Sequence, residues 1–338
     1  MITRTRGMPK IPEWQKQMAT GFSRVHDLLE WLEINPDLLE SLTDTEPHFP
    51  VKVPHAYAAR MRKGDPHDPL LRQVLPLQAE KESVPGFVSD PVGDLAATGH
   101  EGIIQKYHGR ALLITTGACA IHCRYCFRRH FPYQSHRPDR VLSKACLEGL
   151  RRENIEEVIL SGGDPLALGD RRLQDLIASI STLGSLRRLR IHTRLPVVIP
   201  DRVTDSLIDI LREFRTPVTV VLHINHPDEI DLQTQLACRK LFENGMHLLN
   251  QTVLLRGVND DAEVLERLCV EGFEAGVLPY YVHQLDKVGG GAHFLVPADE
   301  ALKIEEKLRN VLPGYLLPRF VSERQGEQSK LPLSQAVC

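Results

Sequence analysis

The sequence predicts an α/β fold in which a parallel sheet is covered by helices, and two interleaved patterns carry that expectation. Apolar, β-branched runs recur at Ala111 to Thr116, Glu157 to Leu160, Leu189 to Thr193, Val218 to Ile224, Leu248 to Leu255 and Pro279 to Val282. Helical periodicity occupies the stretches between them, at Ser143 to Arg152, Arg171 to Thr182, Asp201 to Phe214, Asp231 to Asn244 and Asp260 to Ala275. Near-continuous apolar strands separated by crossover helices are expected of a sheet buried on both faces. Six such units fit either an open doubly wound sheet or a barrel lacking two units. A chain of 338 residues, 42% of them apolar, has enough apolar surface to bury a core of that kind.

Ahead of the first strand, Val25, Leu28, Leu29 and Leu32 fall at helical spacing before Pro36 and predict an amphipathic helix in an N-terminal cap. From Pro54 to Asp94 the chain is rich in proline and charge, as in Asp65-Pro66-His67-Asp68-Pro69, which predicts an irregular connection with short helices. The cap is therefore expected over 1–94 and the α/β core over 95–312. Leu302 to Leu308 begins a last helix, and the tail from Gly314 to Cys338 is long enough to fold back over the rim as a third segment, 313–338. Cys119, Ser161, Arg194, Asn225 and His283 all fall at or just past strand C-termini, where parallel α/β folds assemble their sites.

Composition excludes some classes of function. The formal net charge of -3 gives no global basic field for nucleic acid, although Arg187, Arg188 and Arg190 cluster locally. Met1 to Phe22 is polar and broken by Pro9 and Pro12, so neither a signal peptide nor a membrane span is expected, and the protein is expected in the cytoplasm. Three of the seven cysteines lie at Cys119, Cys123 and Cys126, the others singly, which in a reducing compartment points to metal ligation rather than disulfides.

The C-x3-C-x2-C loop directly follows the first strand. Structural zinc normally takes four closed ligands, and catalytic zinc seldom takes three from one tight loop. Three thiolates on a 4Fe-4S cluster leave one iron open. The plainer alternative is a zinc loop completed by His122 or His130. Tyr125 completes C-x3-C-x-aromatic-C, which resembles the radical S-adenosylmethionine superfamily, where the open iron chelates the methionine moiety and the cluster yields a 5′-deoxyadenosyl radical. In that resemblance Tyr125 belongs with the S-adenosylmethionine contacts. Ser161-Gly162-Gly163-Asp164-Pro165 is similar to the superfamily segment for the methionine amino group, with Gly162 and Gly163 permitting close backbone approach and Asp164 adding negative charge.

Further segments narrow the likeness: Lys106 to Arg110, Cys126 to His130, His223 to Pro227, Asn250 to Asp260, Tyr280 to Lys287 and Gly326 to Pro332 occur in the order found in lysine 2,3-aminomutases. The resemblance runs from about Asp65 to Leu333. It implies a partial (β/α)6 TIM-like radical S-adenosylmethionine barrel, with an N-terminal helical cap and a C-terminal segment over the site. It implies that Lys330 carries pyridoxal phosphate, that Tyr107 and Arg110 hold the cofactor phosphate, and that His223 and Gln251 contact S-adenosylmethionine. Arg128 resembles the residue that grips the substrate carboxylate. Asp286 and Glu323 occupy the two acidic positions that receive the ε-ammonium, where the aminomutases carry aspartate in place of Glu323. Read singly, these are ordinary residues: a tail lysine, a structural ion pair, a core histidine, solvated carboxylates.

The implied reaction moves the α-amino group of L-lysine to the β-carbon by radical chemistry, with a reductase or flavodoxin-type protein as electron donor. Within the family the likeness is greatest to the branch that makes β-lysine, by resemblance the R enantiomer, for elongation factor P and its lysine-attaching ligase. Catabolic relatives carry a cysteine-bearing metal-binding tail, against which only Cys338 stands here. The competing readings are a free lysine 2,3-aminomutase of catabolism or biosynthesis and, from another class, a non-catalytic iron-sulfur or zinc module.

Overall fold

A computed structural model describes residues 11–35, 43–99, 102–135 and 143–336. Pro36 and Cys338 lie outside the described residues. The six expected strands form in place: β2 (Arg110–Thr116), β3 (Glu157–Gly162), β4 (Arg188–Thr193), β5 (Thr219–Leu222), β6 (His247–Val253) and β7 (Leu278–His283). Three more complete the sheet, β1 (Ile103–Ile104), β8 (Arg319–Ser322) and β9 (Leu331–Pro332). The strands lie in chain order, β2 through β8 parallel and the two short edge strands antiparallel. The sheet is not closed, as a partial barrel requires.

β3 is buried along its whole length, Glu157 included, which is why its run lacks the alternation of a half-exposed strand. Four of the crossover helices begin at a side-chain cap, whereas Asp170–Ser181 and Ala298–Val311 start at Gly169 and Pro297 without one. Ser143 accepts from the Cys146 amide, Thr204 from Leu207, Asp231 from Thr234 and Asp261 from Glu263. Such caps are worth about 1 kcal/mol each. Thr204 also explains why the helix expected from Asp201 starts at Asp205: residues Pro200–Arg202 form a separate 3-10 turn first.

The cap and the barrel share one hydrophobic cluster, running from Trp14, Leu28 and Leu29 through Leu113, Val158 and Ile191 to Phe320 and Leu333. Polar contacts fix the docking. Arg60 donates to the carbonyls of Val197 and Glu229 and to Thr234 Oγ1, while the Arg202 guanidinium lies 4.3 Å over the Trp14 ring. The expected short helices appear at His55–Ala58 and Pro69–Arg72, the second capped by Asp68. The C-terminal segment reaches the site by extending the sheet. β8 adds a seventh parallel strand beside β7, and β9 turns back along it with Ser322 opposite Leu331. That register sets Glu323 and Lys330 facing each other across the hairpin.

Candidate active site

The cysteine loop is held from two sides. Arg124, fully buried, gives Nε and Nη2 to the Glu80 carboxylate and Nη1 to the Phe49 carbonyl, and Arg129 reaches the same Glu80. The loop amides of His122 and Arg124 donate to Lys52 O and Gln73 O. Both histidines that would complete a zinc site are turned to backbone carbonyls, His122 Nδ1 to Pro50 O at 2.8 Å and His130 Nε2 to Gly289 O at 3.1 Å. Burial, then the neighbouring sulfur of Cys123, pushes the Cys126 thiol up to about 11, and burial likewise raises Cys119. Among the described residues no three His, Cys, Asp or Glu side chains converge on one metal-ion position. Three thiols spaced around a loop suit a cluster, in which each sulfur bonds a different iron.

Gly162 and Gly163 are required by that loop. The β3 end lies directly against its entry, with Gly163 N donating to Thr116 O and Asp164 N to Ala118 O. A Cβ would come within 2.6 Å of Thr116 O at Gly162, where φ is +117°, and within 2.4 Å of Ala118 O at Gly163. The Asp164 carboxylate is committed elsewhere: it accepts from Thr193 Oγ1, the Arg194 and Leu195 amides and the Leu166 amide. Its charge therefore tethers the end of β4.

Behind the cysteines, Arg194 draws several elements together. Its Nη1 lies 2.7 Å from Cys123 Sγ and 3.0 Å from Tyr125 Oη, and its Nη2 donates to Tyr57 Oη, Gln73 Oε1 and Glu229 Oε2. Tyr125 Oη also lies 2.9 Å from His223 Nε2, with the two rings stacked at 5.6 Å. Burial, then the positive charge of Arg194, pushes His223 down to about 3, so its imidazole is neutral. Gln251 on β6 lies beside it and supplies a backbone hydrogen bond. Tyr125, His223 and Gln251 are thus brought together beside the cysteine loop.

The remaining candidates form a chain of alternating charge. Lys330 Nζ lies 2.5 Å from Glu323 Oε2, and Glu323 Oε1 accepts from Lys106 at 2.9 Å. Lys106 pairs with Asp94 at 2.6 Å, and Asp94 pairs with Arg128 Nε at 2.6 Å. Arg128 Nη1 then donates to Ser161 Oγ. Burial would raise Glu323, but the ammonium groups of Lys330 and Lys106 outweigh it and hold the carboxyl at about 2. Asp286 differs: its carboxyl has no hydrogen-bond or ion-pair partner among the described residues, and burial, then the charge on Glu323, pushes it up to about 7. Arg110 lies 5.1 Å over the Tyr107 ring and has no carboxylate partner among the described residues.

The donor set fits the groups that the sequence implies. An arginine without a counter-ion beside a tyrosine hydroxyl suits a phosphate. The buried Nε2 atoms of His192 and His283 have no partner and lie within electrostatic reach of Lys330, whose Nζ is 6.0 Å from the Tyr281 ring. Such orphaned polar atoms fit an interior that receives a polar ligand. Sequence reasoning missed Asp94, Gln73 and Glu229, and left Lys106 without a role although it opens a quoted segment. Asp94 ends an irregular stretch with no motif of its own, so only its contacts reveal it.

The chain is similar to known proteins over most of its length. The Radical SAM superfamily matches residues 113–269. The chain is 42% identical to the L-lysine 2,3-aminomutase of Escherichia coli (strain K12), over 97% of this chain and 96% of that protein. It is 42% identical to the enzyme of the same name from Haemophilus influenzae, over 94% of each chain. To the L-lysine 2,3-aminomutase of Clostridium subterminale it is 32% identical, over 95% of this chain and 77% of the other.

Proposed function

The chain belongs to the lysine 2,3-aminomutase family of the radical S-adenosylmethionine superfamily, and from that premise we propose that it converts L-α-lysine to (R)-β-lysine destined for elongation factor P. It is an aminomutase-type isomerase whose cofactors are a 4Fe-4S cluster, S-adenosylmethionine and pyridoxal phosphate. The likeness of its motifs to EpmB, the radical S-adenosylmethionine enzyme that makes β-lysine for elongation factor P, supports the destination, in which a ligase attaches the product to a lysine of the factor. The ion-pair chain from Lys330 to Arg128, with Asp286 unpaired beside it, is the observation that carries the reading.

Cys119, Cys123 and Cys126 are assigned to the cluster. Tyr125, Gly162, Gly163, Asp164, His223 and Gln251 are assigned to S-adenosylmethionine, Asp164 by tethering β4 rather than by its charge. Lys330, Tyr107 and Arg110 are assigned to pyridoxal phosphate. When bound, the reduced cluster supplies the electron that makes the adenosyl radical, and pyridoxal phosphate supplies the π-system across which nitrogen migrates.

Arg128 binds the lysine carboxylate. Nε and Nη1 are held by Asp94 and Ser161, and Nη2 has no partner among the described residues, so the fork is fixed in place before substrate arrives. Glu323 and Asp286 would receive the substrate ε-ammonium together: Glu323 is already shared by Lys106 and Lys330, and Asp286 would add a carboxylate that no cation among the described residues pairs with. The buried rings of Tyr125 and Phe294 close the cysteine side against water.

The test is an anaerobic assay with L-lysine, S-adenosylmethionine and dithionite, followed by chiral analysis. (R)-β-lysine is the expected product; deoxyadenosine release without β-lysine would refute the reaction. For the destination, the enzyme is combined with elongation factor P and its ligase, and the modified factor is hydrolysed. Attached β-lysine supports the assignment, and α-lysine alone refutes it.

A further inference from the structure

Among the described residues, Cys123 is the one cysteine of the loop whose sulfur takes a hydrogen bond from a charged side chain. Arg194 Nη1 lies 2.7 Å from it. By contrast, Lys52 approaches the loop at the Cys119 carbonyl. Arg194 is 6% exposed and its carboxylate partner Glu229 is fully buried, so both charges act through protein rather than water. The guanidinium is also fixed. Tyr57, Gln73, Tyr125 and Glu229 together hold it at the position from which Nη1 meets the sulfur.

We propose that Arg194 sets the reduction potential of the cluster through its hydrogen bond to the Cys123 sulfur, with Glu229 as the opposing charge that limits the effect. The inference rests on Cys123 being a cluster ligand. Reduction adds one electron to the cluster and nothing else, so the reduced state carries one more negative charge on its irons and sulfurs. A donor aimed at a sulfur stabilises that state more than the oxidised one and raises the potential; a nearby carboxylate lowers it. Arg194 is a positioning residue in this sense, touching a ligand rather than the substrate. Its contacts also couple the cap segment bearing Tyr57 and Gln73 to the electronic state of the cluster.

The experiment uses anaerobically reconstituted protein without S-adenosylmethionine or lysine. Iron and sulfide analysis of the wild type tests the ligand reading by itself, and a dithionite titration followed by electron paramagnetic resonance gives the midpoint. Arg194→Met is expected to make reduction at least tenfold less favourable, a shift of about 59 mV to more negative potential. Arg194→Lys, which keeps the charge but not the fork, is expected to shift less in the same direction. Glu229→Gln is expected to shift the opposite way, a reversal that loosened packing alone does not produce. Unchanged midpoints, or shifts of one sign in all three variants, overturn the proposal, as does loss of the cluster in all three. An arginine that served only to contact S-adenosylmethionine would leave these midpoints where they are.

Discussion

Cys119, Cys123 and Cys126 arrive on one short loop, whereas the other end of the rim joins Lys106 to Glu323 across 217 residues of chain and ties Lys330, Asp94 and Arg128 together chiefly through ion pairs. At the cysteine end, chemistry resides in ligand type and spacing, and the surrounding hydrogen bonds tune it. At the lysine end it resides in balance: Lys330, Lys106 and Arg128 stand against the committed carboxylates of Glu323 and Asp94, with Asp286 held in reserve. A change at the first end should therefore remove one function outright. At the second it should spread to neighbours that share the same charges.

Substitution should cost most at the cysteines. Alanine at Cys119, Cys123 or Cys126 is expected to remove the cluster and bring deoxyadenosine formation to background, since two thiolates cannot hold three of the four irons. Iron content and low-temperature electron paramagnetic resonance measure it. Full cluster content with turnover in any one variant would withdraw that ligand.

Next in size is Lys330→Ala. The cluster should persist and S-adenosylmethionine should still be cleaved slowly, while β-lysine formation falls by a factor of about 10³ or more, as for loss of a covalent catalytic group. Borohydride trapping of the wild type followed by peptide mapping locates the cofactor lysine. A pyridoxyl adduct on a lysine other than Lys330 sinks the assignment.

These two ends also differ in how far the sequence disclosed them. The six central strands were legible because apolar, β-branched runs recur between helical stretches, most plainly in the fully buried β3, and the crossover helices because their periodicity is local. β8 and β9 were not, since four residues beside a proline-rich turn and two more before a short helix carry little pattern. The cysteine loop was legible from spacing alone. Lys330, Glu323 and Arg128 were legible only through resemblance, because a charged residue reads as solvated until a counter-charge is found beside it. Asp94 and Glu229 illustrate the limit: each neutralises an arginine far away in sequence, and no spacing rule connects them. Asp164 shows the converse, a motif residue whose carboxylate is spent on capping.

The smallest expected effect separates the two acids at the lysine end. Asp286 is pushed up to about 7 and Glu323 is held at about 2, so between pH 6 and 8 the first changes its ionisation while the second stays charged. The substrate ε-ammonium keeps its proton throughout that range. Preference for lysine over the analogue lacking the ε-amine, taken as a ratio of kcat/KM, should therefore rise as pH increases through about 7 and then level off. The sign follows from the acid: its neutral form, dominant at lower pH, offers no charge to the ammonium. Because kcat/KM follows the ionisation of the enzyme before substrate binds, the observed midpoint should lie at about 7. In Asp286→Asn the preference should fall about tenfold at pH 8 and lose its pH dependence, because the amide keeps an acceptor but no charge. In Glu323→Gln it should fall at every pH, accompanied by a loss for both compounds, since Lys106 and Lys330 lose a shared partner. Equal losses for lysine and analogue in Asp286→Asn, or a flat preference in the wild type, would remove Asp286 from substrate recognition. Equal losses in Glu323→Gln alone would leave Glu323 as the counter-ion of the two lysines and Asp286 as the reader of substrate length.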